Sequence, residues 1–171
     1  MAATNRSAWV HNYAGRDAPI RHQFPAALGQ TRTFKRGEIL FMDTGDSDLE
    51  AVSQHTDNLH ALVVADEEQR LSDPERMVWC IIPTCFDVFE FDLDTATEIW
   101  WGAPLQIVDS RTLKVTHDFE NVIAGVAPVD TEDQNTNRPT VTRARVIFRA
   151  PGKSGCGAEL PLMGFCTGDS E

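Results

Sequence analysis

The chain has 171 residues, of which 42% are apolar and 24% charged, and a formal net charge of −11. That length suits one packed domain, with or without an arm. No apolar run approaches the roughly 18 residues that a membrane helix needs. The acidic balance argues against nucleic acid, so neither a membrane nor a nucleic-acid partner is expected.

Residues 1–36 hold six Lys and Arg side chains (Arg6, Arg16, Arg21, Arg32, Lys35 and Arg36) against Asp17 alone, a net +5; residues 37–171 carry −16. The opening "MAATNRSAWVHNYAGRD" has no basic-then-apolar signal pattern, so standard export is not expected. Asn5-Arg6-Ser7 then matches a glycosylation pattern by chance. Residues 1–33 show no helical or strand period, and Gly15, Pro19, Pro25 and Gly29 interrupt whatever begins there. This reads as an extended basic arm, suited to an acidic partner surface; a solvated terminus with incidental arginines is the alternative.

From Phe34 onward the texture changes to short apolar runs between turn residues: "EILFM", "LEAVS", "LHALVVAD", "RMVWCIIP", "FDVFEFDL", "EIWWGAPLQIVD", "LKVTH", "VIAGVAPV" and "TVTRARVIFRA". They are about five residues long and rich in β-branched and aromatic side chains. "VFEFDL" and "VTRARVIF" alternate as half-buried strands do. The expected fold is mostly β, a small barrel or sandwich over residues 34–150, since closure removes exposed edges. Residues 151–171 read as a Gly-rich tail. Cys80 reads as a reduced core residue, while Cys156 and Cys166 can pair or remain thiols.

The body contains two similar units. The first runs from Gly37 through a strand to Asp43, a turn, Leu49–Val52, a loop and "ALVVADEE" ending its small-residue strand at Ala65. The second runs from Gly102 to Asp109, a turn, Leu113–Val115, a loop and "IAGVAPVD" ending at Ala127. This alignment bears on Asp43-Thr44-Gly45, which spells the turn of an aspartic protease. Its counterpart is Asp109-Ser110-Arg111-Thr112, where an Asp opens a turn by accepting backbone N–H bonds. A protease dyad also needs a second carboxylate in a dry groove, so the hairpin turn is the expectation. Asp43, Asp46, Asp48 and Glu50 lack the EF-hand spacing. The cysteines fit no zinc pattern, and no nucleophile-elbow, zincin or phosphate-loop motif occurs. No catalytic residue, metal or cofactor is expected.

The order "FKRGEILFMD…LEAVS…ALVVADEE", then "FEFDL…WWGAPLQIVD…LKVT…IAGVAPVD" and a closing "RARVIF", resembles the tailed-phage capsid decoration proteins, also called head-stabilising or cement proteins. "IAGVAPVD" fits the family's apolar-Gly-Val-Ala segment, whereas "ALVVADEE" has Val63 in place of the glycine. The resemblance covers about residues 34–150. It implies a non-enzymatic virion protein, made in the host cytoplasm, that binds the outer surface of the major-capsid shell as a homo-oligomer, with a trimer favoured. The arm, through Arg6, Arg16, Arg21, Arg32, Lys35 and Arg36, and an exposed Trp101 are then the expected partner contacts. Adjacent Trp100 and Trp101, if on a strand, point to opposite faces: one fills the core, and the other is either covered by the arm or the tail or exposed as a contact. A carbohydrate- or host-surface-binding module using Trp100, Trp101 and Phe91 is the first alternative; a dimeric protease acting through Asp43 is the second.

Overall fold

The computed structural model describes residues 9–26, 33–42, 49–51, 62–70, 77–117, 122–128 and 140–148. Among these the regular structure is all strand. In chain order the strands are β1 (Trp9–Asn12), β2 (Ile20–Pro25), β3 (Thr33–Phe34), β4 (Ile39–Met42), β5 (Leu49–Ala51), β6 (Leu62–Ala65), β7 (Gln69–Arg70) and β8 (Met77–Ile82). They continue with β9 (Asp87–Glu98), β10 (Pro104–Asp109), β11 (Thr112–Val115), β12 (Ala124–Val126) and β13 (Thr140–Phe148). Strands thus begin at Trp9, inside the segment expected to be an arm. The tail beyond residue 150, with Cys156 and Cys166, lies outside the described residues, as do Asp43, Asp46 and Asp48.

The second unit closes on itself. Its sheet runs β9-β11-β10-β12-β13, and β13 pairs with β9 again, which completes a five-stranded barrel; β1 adds to the free stretch of β9. The closing β11–β9 contact is parallel, Thr112 against Asp92 and Leu113 against Leu93, while the other pairings are antiparallel. Period-two alternation turns Phe89, Phe91 and Leu93 inward from β9 and Ala144, Val146 and Phe148 inward from β13. Leu105, Ile107, Leu113, Ala124 and Val126 join them in one buried cluster. Phe148 meets Phe89 and Phe91 edge-on at 5.1 and 5.5 Å, a geometry aromatic quadrupoles favour.

The first unit repeats this order: β2-β8-β6-β4-β5 corresponds, strand for strand, to β9-β13-β12-β10-β11. The correspondence extends to single hydrogen bonds. Gly37 N–H donates to Ala65 O at 2.8 Å and Ala65 N–H returns a bond to Glu38 O at 2.8 Å. Gly102 N–H donates to Val126 O at 2.9 Å and Val126 N–H returns one to Ala103 O at 3.0 Å. Both glycines have positive φ, 82° and 77°, a conformation that a Cβ disfavours. One residue further on, Asp66 N–H donates to Trp79 O and Ala127 N–H to Arg145 O, at 3.0 and 2.8 Å.

The duplication is therefore real but shifted from the sequence alignment: Ala65 is equivalent to Val126, not to Ala127. Residue size suggested the latter match, and backbone pairing sets the former. A slip of one residue exchanges faces. Ala65 and Val126 both face inward, whereas Ala127 packs outside the barrel with Val88, Ile147 and Val10. The repeated unit also has five strands rather than the three visible as a pattern.

The interior of the first unit holds Ala26, Leu40, Val63, Ala65, Val78 and Cys80, with Phe24 and Ile82 packed against it and Phe34 of β3 added. Burial, then the charge of Asp66, pushes the Cys80 thiol up to about 12, consistent with an inert, reduced core residue. On the opposite face of this sheet Ile39, Leu62, Val64 and Ile81 belong to the same cluster as the barrel core. Ile39 N–H also donates to Ser110 O at 2.6 Å across the seam between the units.

Gly102→Ala is expected to lower the unfolding free energy by about 1–2 kcal/mol through its positive φ, and Gly37→Ala to do the same. Denaturant titration of both variants checks this; an effect at one glycine alone would mean that the two turns are not equivalent.

Candidate partner-binding site

The expected contact residues that the structure describes are Arg16, Arg21, Lys35, Arg36 and Trp101. Arg6 and Arg32 lie outside the described residues. Arg16 reaches into the molecule, where its Nη2 lies 3.3 Å from Asp87 Oδ2 and 3.0 Å from Thr84 Oγ1. Arg21, on β2, places Nε 2.9 Å from Oδ2 of the buried Asp66. Two of the arginines expected to face a partner thus have their charge offset within the fold. Lys35 is exposed in the turn before Gly37, and Arg36 beside it is half-buried.

Asp87 explains why residues 9–16 are held. Its side chain is fully buried at the start of β9. Oδ1 accepts from Trp9 Nε1 at 3.0 Å and Asn12 Nδ2 at 2.7 Å; Oδ2 accepts from Thr84 N and Oγ1 at 2.9 and 2.6 Å, in addition to Arg16. Burial alone would raise its pKa, but the hydrogen bonds from Asn12, Thr84 and Trp9 outweigh it and hold the carboxyl below the usual value. No local pattern in "WVHN" foretells this strand, because its partner is 75 residues away.

Trp101 is 41% exposed, the alternative to its being covered by the arm or the tail, but it is not on a strand. β9 ends at Glu98, and Ala103 N–H donates to Trp100 O at 3.0 Å, so both tryptophans lie in one turn rather than on a strand. Trp100 is half-buried against the barrel core. Phe91, one of the three aromatics of the carbohydrate-binding alternative, is an interior residue at 3% exposure.

Two contact candidates were missed. Met77 and Trp79 on β8 are 41% and 39% exposed, while Val78 and Cys80 between and beyond them are buried. Their neighbours across the pairing are Pro25 and Gln23. "RMVWCIIP" reads as a continuous core run, and the outer face formed by Met77 and Trp79 shows only in the alternating exposure of the folded strand.

Arg36 has a different setting. Together with Gly37, Glu90, Phe91, Asp92, Arg111 and Arg143 it lines a polar pocket of about 30 Å³ at the seam between the two units. Arg143 on β13 is held across the barrel wall, its Nη1 2.9 Å from Glu90 Oε1 and its Nε 2.7 Å from Asp92 Oδ1. Arg111 sits in the β10–β11 turn, where its backbone N–H donates to Asp109 Oδ1 at 2.8 Å, the turn-opening role expected of that Asp. Arg36 Nε is buried with no hydrogen-bond partner among the described residues.

Among the described residues no group of three or more His, Cys, Asp and Glu side chains is placed to hold a metal ion. Comparison with protein-family models, with curated proteins and with solved structures finds no match to this chain.

Asp87→Ala is expected to cost about 3–5 kcal/mol, because it leaves Trp9 Nε1, Asn12 Nδ2 and Thr84 N without their acceptor at about 1–3 kcal/mol for each group that stays dry, with loss of β1 from the sheet. Because the folded carboxyl binds its proton less readily than the unfolded one, the unfolded chain takes up more protons in acid. The contribution of Asp87 is therefore complete above its ordinary value of 3.8 and lost as pH falls through the lower folded value. Denaturant midpoints compared between pH 5 and pH 3 check this: wild type should lose more stability than Asp87→Ala.

Proposed function

We propose that the protein is a non-enzymatic component of a tailed-phage virion that binds the outer face of the assembled major-capsid shell and stabilises it. The major capsid protein is then its partner, and the protein is expected to act as a homo-oligomer, with a trimer favoured. The sequence resemblance suggests this role, and the duplicated strand unit is compatible with it. The observation that carries most weight is the outward pair Met77 and Trp79, with Trp101 on a separate turn. Large apolar side chains left at a surface mark contact sites when they cluster, and Trp anchors carry much of the energy of protein interfaces. Many copies on a lattice turn modest single contacts into firm attachment.

The arm takes a smaller part in this reading than the sequence suggests. Arg16 and Arg21 are engaged by Asp87 and Asp66, so removal of residues 1–33 would delete β1 and β2 and test folding rather than binding. Side-chain variants are the cleaner probe.

Co-sedimentation with assembled capsid shells tests the proposal. The wild-type protein should pellet with shells and raise their melting temperature. Trp79→Ala should weaken binding roughly 10- to 30-fold, as loss of about 2 kcal/mol at an anchor implies, while its circular dichroism stays that of the wild type. A wild-type protein that ignores shells would refute the proposal.

A further inference from the structure

We propose that the seam pocket of Arg36, Arg111 and Arg143 binds a single carboxylate, of the kind that an Asp or Glu side chain of a partner protein presents. The site does not depend on that partner being a capsid shell.

Charge sets the ligand class. Among the described residues, three guanidinium groups and two carboxylates line the pocket, leaving one net positive charge. Arg143 is already bound to Glu90 and Asp92, so the surplus belongs to Arg36 and Arg111, which have no carboxylate partner among the described residues. A monoanion balances it. A phosphate, near −2, would add a charge that Glu90 and Asp92 repel at short range.

Hydrogen bonding identifies the deficient atom. A buried polar group left unsatisfied costs about 1–3 kcal/mol, and native structures rarely leave one so. Arg36 Nε is such a group among the described residues, in the turn whose next residue, Gly37, donates its N–H to Ala65 O. Arginine presents its N–H groups in a planar fork that matches the two oxygens of a carboxylate.

Size agrees with charge. About 30 Å³ has room for a two-oxygen group or a few waters. The pocket is also composite: Arg36 precedes β4 of the first unit, whereas Arg111 and Arg143 belong to the second. A carboxylate bound there would bridge the seam beside the Ile39–Ser110 hydrogen bond.

The test uses the full chain labelled with ¹⁵N, observing arginine Nε–Hε signals during titration with sodium acetate. Sodium chloride and inorganic phosphate at equal ionic strength serve as comparators. Acetate should shift the Arg36 signal saturably, with a Kd on the order of millimolar for so small a ligand. Chloride should not, and phosphate should bind more weakly. Arg111→Ala, a change in an exposed turn, should weaken acetate at least threefold, and Arg36→Lys, which keeps the charge but removes Nε, about tenfold. Equal responses to acetate and chloride, tighter binding of phosphate, or an Arg111→Ala protein that binds acetate like wild type would each overturn the proposal.

Discussion

The fold depends on β9 being paired along both edges. One edge takes β1 and then, further along, β11; the other takes β13 along most of its length. Where both edges are paired, the strand has few backbone groups left to satisfy with water, which suits it to the wall of a closed barrel. Its inward side chains, Phe89, Phe91 and Leu93, form the centre of the main core. Its outward Glu90 and Asp92 hold Arg143, and its first residue, Asp87, fixes the N-terminal strand. Three functions of the structure, closure, core and attachment of the N-terminus, therefore share one twelve-residue segment.

The same arrangement accounts for the charge pattern. A basic leader before an acidic body suggests attraction between separate molecules. Within the described residues that attraction is partly satisfied inside the chain, by Arg16 with Asp87 and Arg21 with Asp66. The leader spans both units, since β1 joins the barrel sheet and β2 is the first strand of the other unit. Charges at the seam are treated differently: among the described residues arginines outnumber acids there, and one buried Nε is left without a partner. Partner recognition is better sought at that seam and at Trp79 than along the leader.

Much of the body was legible because its strands are amphipathic by simple alternation. "VFEFDL" and "VTRARVIF" became β9 and β13, and the twin glycines marked the twin turns. What escaped notice had no local cause. β1 and β2 carry half-exposed, irregular side chains, and they are strands because of residues far along the chain. The one-residue shift between Ala65 and Val126 escaped for a similar reason, since hydrogen-bond register is not written in side-chain size. Of the expected site, Trp101 was found exposed and Arg36 found in a pocket, but the pocket's other arginines sit on a turn and a strand whose approach no spacing reveals.

Native-state hydrogen exchange along β9 tests most directly whether this strand organises the rest. The account predicts that the hydrogen-bonded amides between Val88 and Leu93 are among the slowest in the protein and exchange only with global unfolding, with the same free energy as their partners on β13. Exchange of these amides through a cheaper local opening, while β4, β6 and β8 remain protected, would contradict it.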